Sequence, residues 1–537
     1  MRTSTLLAAA LLLAAQLPAQ FEPAPGFRLF GPLGGTDTWL VDNTGAVVHT
    51  WPSTFGPGLG VYLRDDGTLL RAINSALVPG SLPGTGGGLQ RMAFDGTLLW
   101  DYRFASPGLL DHHDITPMPN GNVLLIVWED KTAAQAIAAG RNPALTTGTV
   151  FRPDSIYEVQ QTGPTSGTVV WSWHVWDHLI QDFDPTKANF GVVGSHPERV
   201  DVNFGSVSDD WNHCNGLDYD PIHDRIVLSA PRQNEVWIID HSTTTAEAAG
   251  STGGRWGKGG DLLYRWGNPQ TYRAGTASDQ QLFFEHNPRF IPPSYPGGNN
   301  LTVFNNNFTA TNSAVFELVL PMDAAGNFVL GSNGRYGPLA PIWNYTAVGF
   351  DSPIISSAQR LPNGNTLICS GAQGHLFEVT SGGLAVWQFQ MPGTQGVFHA
   401  HYYENYLWGS STALSASNGG SVRLDLLAGT HHAGRIYLAV GTFAGTTPGA
   451  TINGLHIPLN PDFLFYSSGI NPNSPPFINN MGLLASDGSA NAAITVPAGY
   501  IPPLLVGVRM DFGYVVADPQ NLQLLLASNP VPVFITQ

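Results

Sequence analysis

The sequence predicts an all-β protein: a six-bladed β-propeller followed by a C-terminal β-sandwich-like domain. Three observations carry this reading. An aromatic strand motif recurs six times, hairpin turns accompany the copies, and 62 Gly with 41 Pro in 537 residues make a turn-rich chain of ordinary apolar content, 43%. The formal net charge of −16 argues against sequence-independent nucleic-acid binding, which needs a basic surface. Any anionic substrate must therefore meet a local positive pocket.

Residues 1–20 carry one Arg, an apolar stretch and a small residue near Leu17-Pro18-Ala19, the pattern of a secretory signal peptide. No later stretch is apolar for long enough to span a membrane as a helix, so the mature chain is expected to be periplasmic or secreted. Two cysteines, Cys214 and Cys369, make no disulfide scaffold, and free thiols are expected.

Residues 21–409 hold the repeats. An apolar residue followed by two ring-bearing residues at i, i+2 occurs at Val48-His49-Thr50-Trp51, Leu99-Trp100-Asp101-Tyr102, Val170-Trp171-Ser172-Trp173, Leu263-Tyr264-Arg265-Trp266, Ile342-Trp343-Asn344-Tyr345 and Val386-Trp387-Gln388-Phe389. Spacing by two puts both rings on one face of a strand, where a neighbouring sheet can cover them. Turns such as Asp95-Gly96-Thr97 precede most copies, and a second set, including Pro119-Asn120-Gly121 and Pro362-Asn363-Gly364, lies upstream. Two hairpins per unit make a four-stranded blade, and six units make six blades. Phe27–Trp51 supplies only three strands, so Phe398–Tyr403 is expected to supply the fourth and close the ring.

Residues 410–537 read as a separate domain. From 412 onward there are eight charged residues and no Lys, with short apolar runs between Gly, Pro and Asn turns. That pattern suggests a β-sandwich, expected to serve packing, attachment or binding while the chemistry lies elsewhere.

In a propeller each blade's innermost strand lines the axis and starts on one face. Those positions hold His112-His113-Asp114, His213, His286 and Ser357, with His399 and His401 on the closing strand. The loop between the second and third strands opens on the same face, bringing Arg232, Asn306 and His375 toward it. His213, His286 and His375 are the candidate catalytic residues, and Arg232, His113, Asn215 and Asn306 the candidate substrate-binding groups. No phosphate loop, GxSxG elbow or HExxH helix is present. Three imidazoles either bind a transition metal or form an anion pocket in which one attacks an electrophile while its neighbours balance charge. Spacing leaves both open.

The block Asp210-Trp211-Asn212-His213-Cys214-Asn215-Gly216-Leu217-Asp218-Tyr219-Asp220-Pro221 and its continuation to Asp240 resemble the hallmark of bacterial arylsulfate sulfotransferases. So do the segments around His112-His113-Asp114-Ile115, Phe284-Glu285-His286-Asn287 and Ser352-Pro353, and the likeness spans roughly residues 27–405. It implies a periplasmic six-bladed propeller that moves a sulfuryl group from an aryl sulfate to a phenol, without a nucleotide donor, through a transiently sulfated histidine. By motif His375 matches the nucleophile and His213 and His286 the assisting histidines. Asn287 stands where the family commonly has Asp, and Ser313 where it has a sulfate-binding Arg, a charge that Arg232 is positioned to replace.

The expected partners are a small aryl sulfate donor and a phenolic acceptor. No metal, cofactor, nucleic acid or membrane span is expected. The competing readings are a non-catalytic binding propeller and a metal-dependent hydrolase or lyase built on the rim histidines.

Overall fold

The computed structural model describes residues 22–537 except 65, 76–81, 206 and 394. The segment read as a signal peptide lies outside the described residues. Six antiparallel four-stranded sheets follow one another along the chain, blade 3 carrying an additional two-residue edge strand. Their innermost strands are His401–Tyr403, Gly56–Leu63, Leu109–Pro117, Leu217–Asp220, His286–Phe290 and Ser357–Arg360, in blades 1 to 6. All six aromatic motifs fall on the fourth, outermost strands, Val47–Trp51, Leu98–Tyr102, Gly167–His174, Tyr264–Trp266, Trp343–Tyr345 and Ala385–Gln390. Their rings are what the period-two pattern implied: Trp51, Trp100 and Trp173 are almost wholly buried.

Blade 1 is closed by the end of the propeller. His401–Tyr403 pairs antiparallel with Phe27–Phe30, placing Tyr403 opposite Phe27 and His401 opposite Leu29. Arg28, on the strand so covered, reaches Glu378 in blade 6 at 2.8 Å, both side chains buried. A buried ion pair is weak evidence for stability, but breaking one partner leaves a charge stranded, so it fixes the seam between first and last blades.

The sandwich begins earlier than residue 410. Tyr406–Gly409 already belongs to its smaller sheet, beside Gly420–Leu427, Ser489–Val496 and Phe477–Ile478. The composition change near Ser410 marks a loop within the domain, because composition responds to exposure and not to sheet membership. The second sheet is built on Arg509–Ala517, Ile436–Thr442 and Val531–Thr536, and Val422, Leu424, Ile494, Phe512 and Val533 fill the space between the two. Trp408 stacks on Phe94 of blade 2 with ring centroids 3.4 Å apart, so the sandwich sits against the propeller wall. Cys214 and Cys369 are free and buried.

Candidate functional site

The rim is assembled by the starts of the inner strands. His113 and His213 meet with ring centroids 4.6 Å apart, edge to face, across the boundary between blades 3 and 4. His286 of blade 5 is linked to His113 through Phe398, just before the closing strand, whose ring centroid lies 6.2 Å from that of His113 and 6.3 Å from that of His286. Phe284 completes the ring, 5.9 Å from both His213 and His286. The Arg232 guanidinium lies over the same phenyl ring at 5.8 Å, and its Nε has no hydrogen-bond partner. A guanidinium, imidazoles and two phenyl rings are therefore neighbours at one end of the axis.

The backbone is strained where these groups converge. His113, His213, Phe284, Asn287 and Ile355 have φ between 49° and 58°, and Ser356 has φ 95°. Left-handed non-glycine residues are uncommon and cost free energy, and they persist where the surroundings over-determine them. Phe284, for example, is held by its N–H donating to Asn234 Oδ1 at 2.8 Å. The blade 2 loop presses on the site from outside: His113 N–H donates to Gly84 O at 2.8 Å, and a Cβ on Gly84 would lie 2.1 Å from His113 Cε1. Only glycine permits that approach.

The imidazoles differ in their partners. His213 Nδ1 is bound to Asp210 Oδ2, whose other oxygen accepts the Trp128 indole N–H at 3.0 Å. Although burial opposes it, the His213 bond and the positive partners nearby hold the Asp210 carboxyl below its usual range. His112 stacks on Trp128 at 3.9 Å, touches His113 Nδ1 through its own Nδ1 at 2.8 Å and reaches Asp154 through Nε2 at 3.1 Å. Burial, with the neighbouring imidazoles adding to it, pushes His113 well below its ordinary value. Burial likewise brings His286 down to about 3. Its Nδ1–H donates to Asn306 Oδ1 at 2.7 Å, and its Nε2 accepts the Ile355 N–H at 3.2 Å.

Two of the expected substrate-binding residues have their polar atoms committed elsewhere. Asn306 also donates to Ser352 O and Ile355 O, both at 2.7 Å, so it orients His286. Asn215 donates to Glu285 O at 3.1 Å and accepts from Ser229 Oγ at 2.5 Å, tying blade 4 to the residue before His286. Ser313 bonds Asn306 O at 2.6 Å and lies in the same framework.

His375 is not brought into the cluster. It is the first residue of blade 6's third strand, His375–Val379, two strands out from Ser357–Arg360. Each strand step is about 4.8 Å, so the side chain starts roughly 10 Å farther from the axis than the inner strand. Its ring stacks on Phe377 at 4.9 Å, in phase with the blade 5–6 packing of Phe377 against Tyr345 and Phe350. Arg232 occupies a similar loop, but its long side chain spans the gap.

Asp154, Asp210, Trp128, Phe284 and Phe398 are site residues that sequence reading did not single out. Asp210 had a signal, three residues before His213 in the block used for the resemblance. Asp154 had none: it faces Trp128 across a strand pair, a register that only the folded blade defines.

Beneath the rim lies a second polar layer. Asp114, its carboxyl pushed up to about 7 by burial, accepts Tyr62 O–H at 3.2 Å. Arg289 donates to His401 and borders a cavity of about 260 Å³ also lined by Asp218 and Arg225. Among the described residues, no three His, Cys, Asp or Glu side chains are grouped to hold a metal ion.

No curated protein matches the chain. Among solved structures, a Bacteroides caccae protein of unknown function is 14% identical, covers 70% of this chain and 98% of its own, and has a TM-score of 0.38. A periplasmic gluconolactonase of Pseudomonas aeruginosa is 12% identical over 70% of this chain and 98% of its own, with a TM-score of 0.37. The profile of the arylsulfotransferase (ASST) family matches residues 36–406, the whole arc from the second strand of blade 1 to the start of the sandwich. By that match the chain belongs to the arylsulfotransferase family.

Proposed function

We propose that the rim site transfers a sulfuryl group from an aryl sulfate to a phenolic acceptor through a sulfohistidine, without a nucleotide donor, and that His113 is the nucleophile. The observation that carries this reading is the His113–His213 pair, two imidazoles in contact with different partners. His213 rests on a carboxylate, so its imidazolium is charge-balanced and suits proton transfer. His113 rests on another imidazole and is kept neutral by burial, so it retains a lone pair.

In the first half-reaction neutral His113 attacks sulfur in line. An N–S bond forms as the S–O(aryl) bond breaks, and the electron pair departs on the phenolate oxygen, which takes the proton of imidazolium His213. In the second, neutral His213 accepts the proton of an incoming phenol. Its oxygen attacks sulfur, the N–S bond breaks and His113 regains its lone pair. Arg232 supplies positive charge to the sulfuryl oxygens, and Phe284 and Phe398 offer faces to the aryl group. His286, both nitrogens occupied, shapes the pocket. We place the protein in the periplasm or outside the cell, on the leader-like residues 1–20.

Protein quenched after exposure to p-nitrophenyl sulfate alone, then mapped by peptide mass spectrometry, tests the reading. One sulfuryl group on the His113 peptide is expected, with nitrophenol released in equal amount. Release without a modified rim histidine, or no release across a panel of aryl sulfates, would overturn it.

A further inference from the structure

We infer that the propeller carries a second ligand site on the face opposite the rim, a cleft between blades 4 and 5 that takes an arene bearing an anionic head. The inner strands Leu217–Asp220 and His286–Phe290 start on the rim side and end at the cavity of about 260 Å³. The connections between the third and fourth strands of these two blades, residues 241–263 and 319–342, emerge at the same end. Both are far longer than a hairpin turn, and loops of that length in a compact domain usually serve a function. The first supplies Trp256 and the second Leu320, Met322 and Phe328, so the inserts give the far face its depth.

The lining divides into apolar walls and two unpaired cations. Ile222, Ile291, Pro293 and Leu320 form walls, and Met322 adds a thioether, which adapts its shape and favours contact with aromatic rings. Arg225 and Arg289 also line the cavity. Among the described residues neither guanidinium forms an ion pair, whereas the buried Arg28, Arg265 and Arg360 each hold a glutamate. Arg225 lies 3.6 Å from the Trp256 ring centroid and donates to Gly326 O and to Met322 Sδ. Burial brings it down to about 10, so it is still a cation at neutral pH. Arg289 gives one N–H to His401 Nδ1, and its other N–H groups have no hydrogen-bond partner among the described residues. The side chain is half-buried and borders the cavity, which puts those donors within reach of a ligand.

The acceptors nearby are spent. Asp220 accepts the Ile222 N–H at 2.9 Å and meets His223 Nδ1 at 2.6 Å, and Asp218 accepts the Phe290 N–H at 2.9 Å. Although burial opposes it, Asp218 and its neighbours hold the Arg289 guanidinium above its ordinary value, so its charge is secure. A guanidinium only donates, and what completes Arg289 is therefore an acceptor. Between apolar walls a charge-assisted bond to an oxyanion is stronger than one in water. Apolar walls with a few convergent polar groups are the usual make-up of a small-molecule site. Sulfonate, sulfate and carboxylate heads share the required chemistry, and the site does not depend on which rim histidine is sulfated.

Photolabelling of the full chain with 4-azidobenzenesulfonate, followed by peptide mass spectrometry, tests the assignment. Its sulfur is bonded to carbon, so the rim cannot transfer it. Label is expected on peptides containing residues 219–225, 289–293 or 320–322. The uncharged 4-azidobenzamide should label them at least about tenfold less, the loss expected when a bond to a charged group is removed. Arg289→Met and Ile222→Glu, the latter on an exposed turn, should each cut this labelling at least about tenfold by the same reasoning while rim peptides stay within about twofold. A parallel run with 4-azidobenzoate identifies the head: preference for the sulfonate names a tetrahedral anion and preference for the benzoate a planar one, and either supports the site. Label confined to the rim, equal labelling by the amide, or full labelling of folded Ile222→Glu overturns it. If Arg289→Met does not fold, Ile222→Glu decides alone.

Discussion

His113 and His213 touch ring to ring, yet only His213 has a carboxylate behind it, Asp210. The two should fail differently when replaced. His213→Asn is expected to lower kcat by about 10²–10⁴-fold while donor alone still labels His113 slowly. His113→Asn is expected to abolish labelling of the rim altogether. Equal labelling of both variants, measured by peptide mass spectrometry, would remove the division of roles.

His375, stacked on Phe377 away from the axis, should be dispensable for chemistry. His375→Gln is expected to leave kcat/KM for p-nitrophenyl sulfate within about twofold, a change under about 0.5 kcal/mol in transition-state binding. A loss of several orders of magnitude would restore it as the nucleophile.

Arg232 reaches the site across the face of Phe284. Arg232→Met keeps most of the stem's bulk and removes the charge, and KM for aryl sulfates should rise about tenfold, equivalent to about 1.4 kcal/mol. Steady-state kinetics at several salt concentrations check it, because the natural protein should weaken with salt more than the variant does.

Glu285, next to His286, is completely buried and neither carboxyl oxygen has a hydrogen-bond partner. Burial drives its acid well above the usual range. The folded protein therefore binds a proton that the unfolded chain releases above its ordinary value, and stability from this group falls as pH rises past about 4.5. Glu285→Gln removes that penalty. Its stabilising effect should be near zero at pH 4 and grow to about 1–3 kcal/mol at pH 8, followed by denaturant unfolding.

His241 has the opposite sign. Burial alone would lower it, but bonds to Asp224 at 2.7 Å and Glu158 at 3.1 Å outweigh burial and raise it to about 9. Its contribution is complete below the unfolded value near 6.5 and is lost as pH rises through about 9. Between those limits the natural protein should lose on the order of 2 kcal/mol relative to His241→Gln, which has no such slope. Parallel curves for the two proteins would show that the bridge between blades 3 and 4 contributes nothing.

The parts of the fold legible in the sequence were those with a local period. Rings at i, i+2 identify an outer strand wherever it occurs, and the missing strand of blade 1 followed from counting. The sandwich boundary was misplaced because charge content changes at Ser410, inside a sheet that starts at Tyr406. In the site, the face on which each residue emerges was legible, since it depends on strand direction. Radius was not: a third-strand histidine and an inner-strand histidine share a face but stand about two strand spacings apart. Nor does sequence show whether an amide has polar atoms to spare, and Asn215 spends its own on Glu285 and Ser229.

Pairing of Phe27–Phe30 with His401–Tyr403 has a bearing on how the molecule is made. The last propeller residues to be synthesised are the ones its first strand waits for. A nascent chain can fold blades 2 to 6 in order while blade 1 stays short of a strand, and the circle cannot shut until the ribosome has passed Tyr403. The finished ring, with its axial imidazoles in contact, comes into being only when the two ends of the propeller meet.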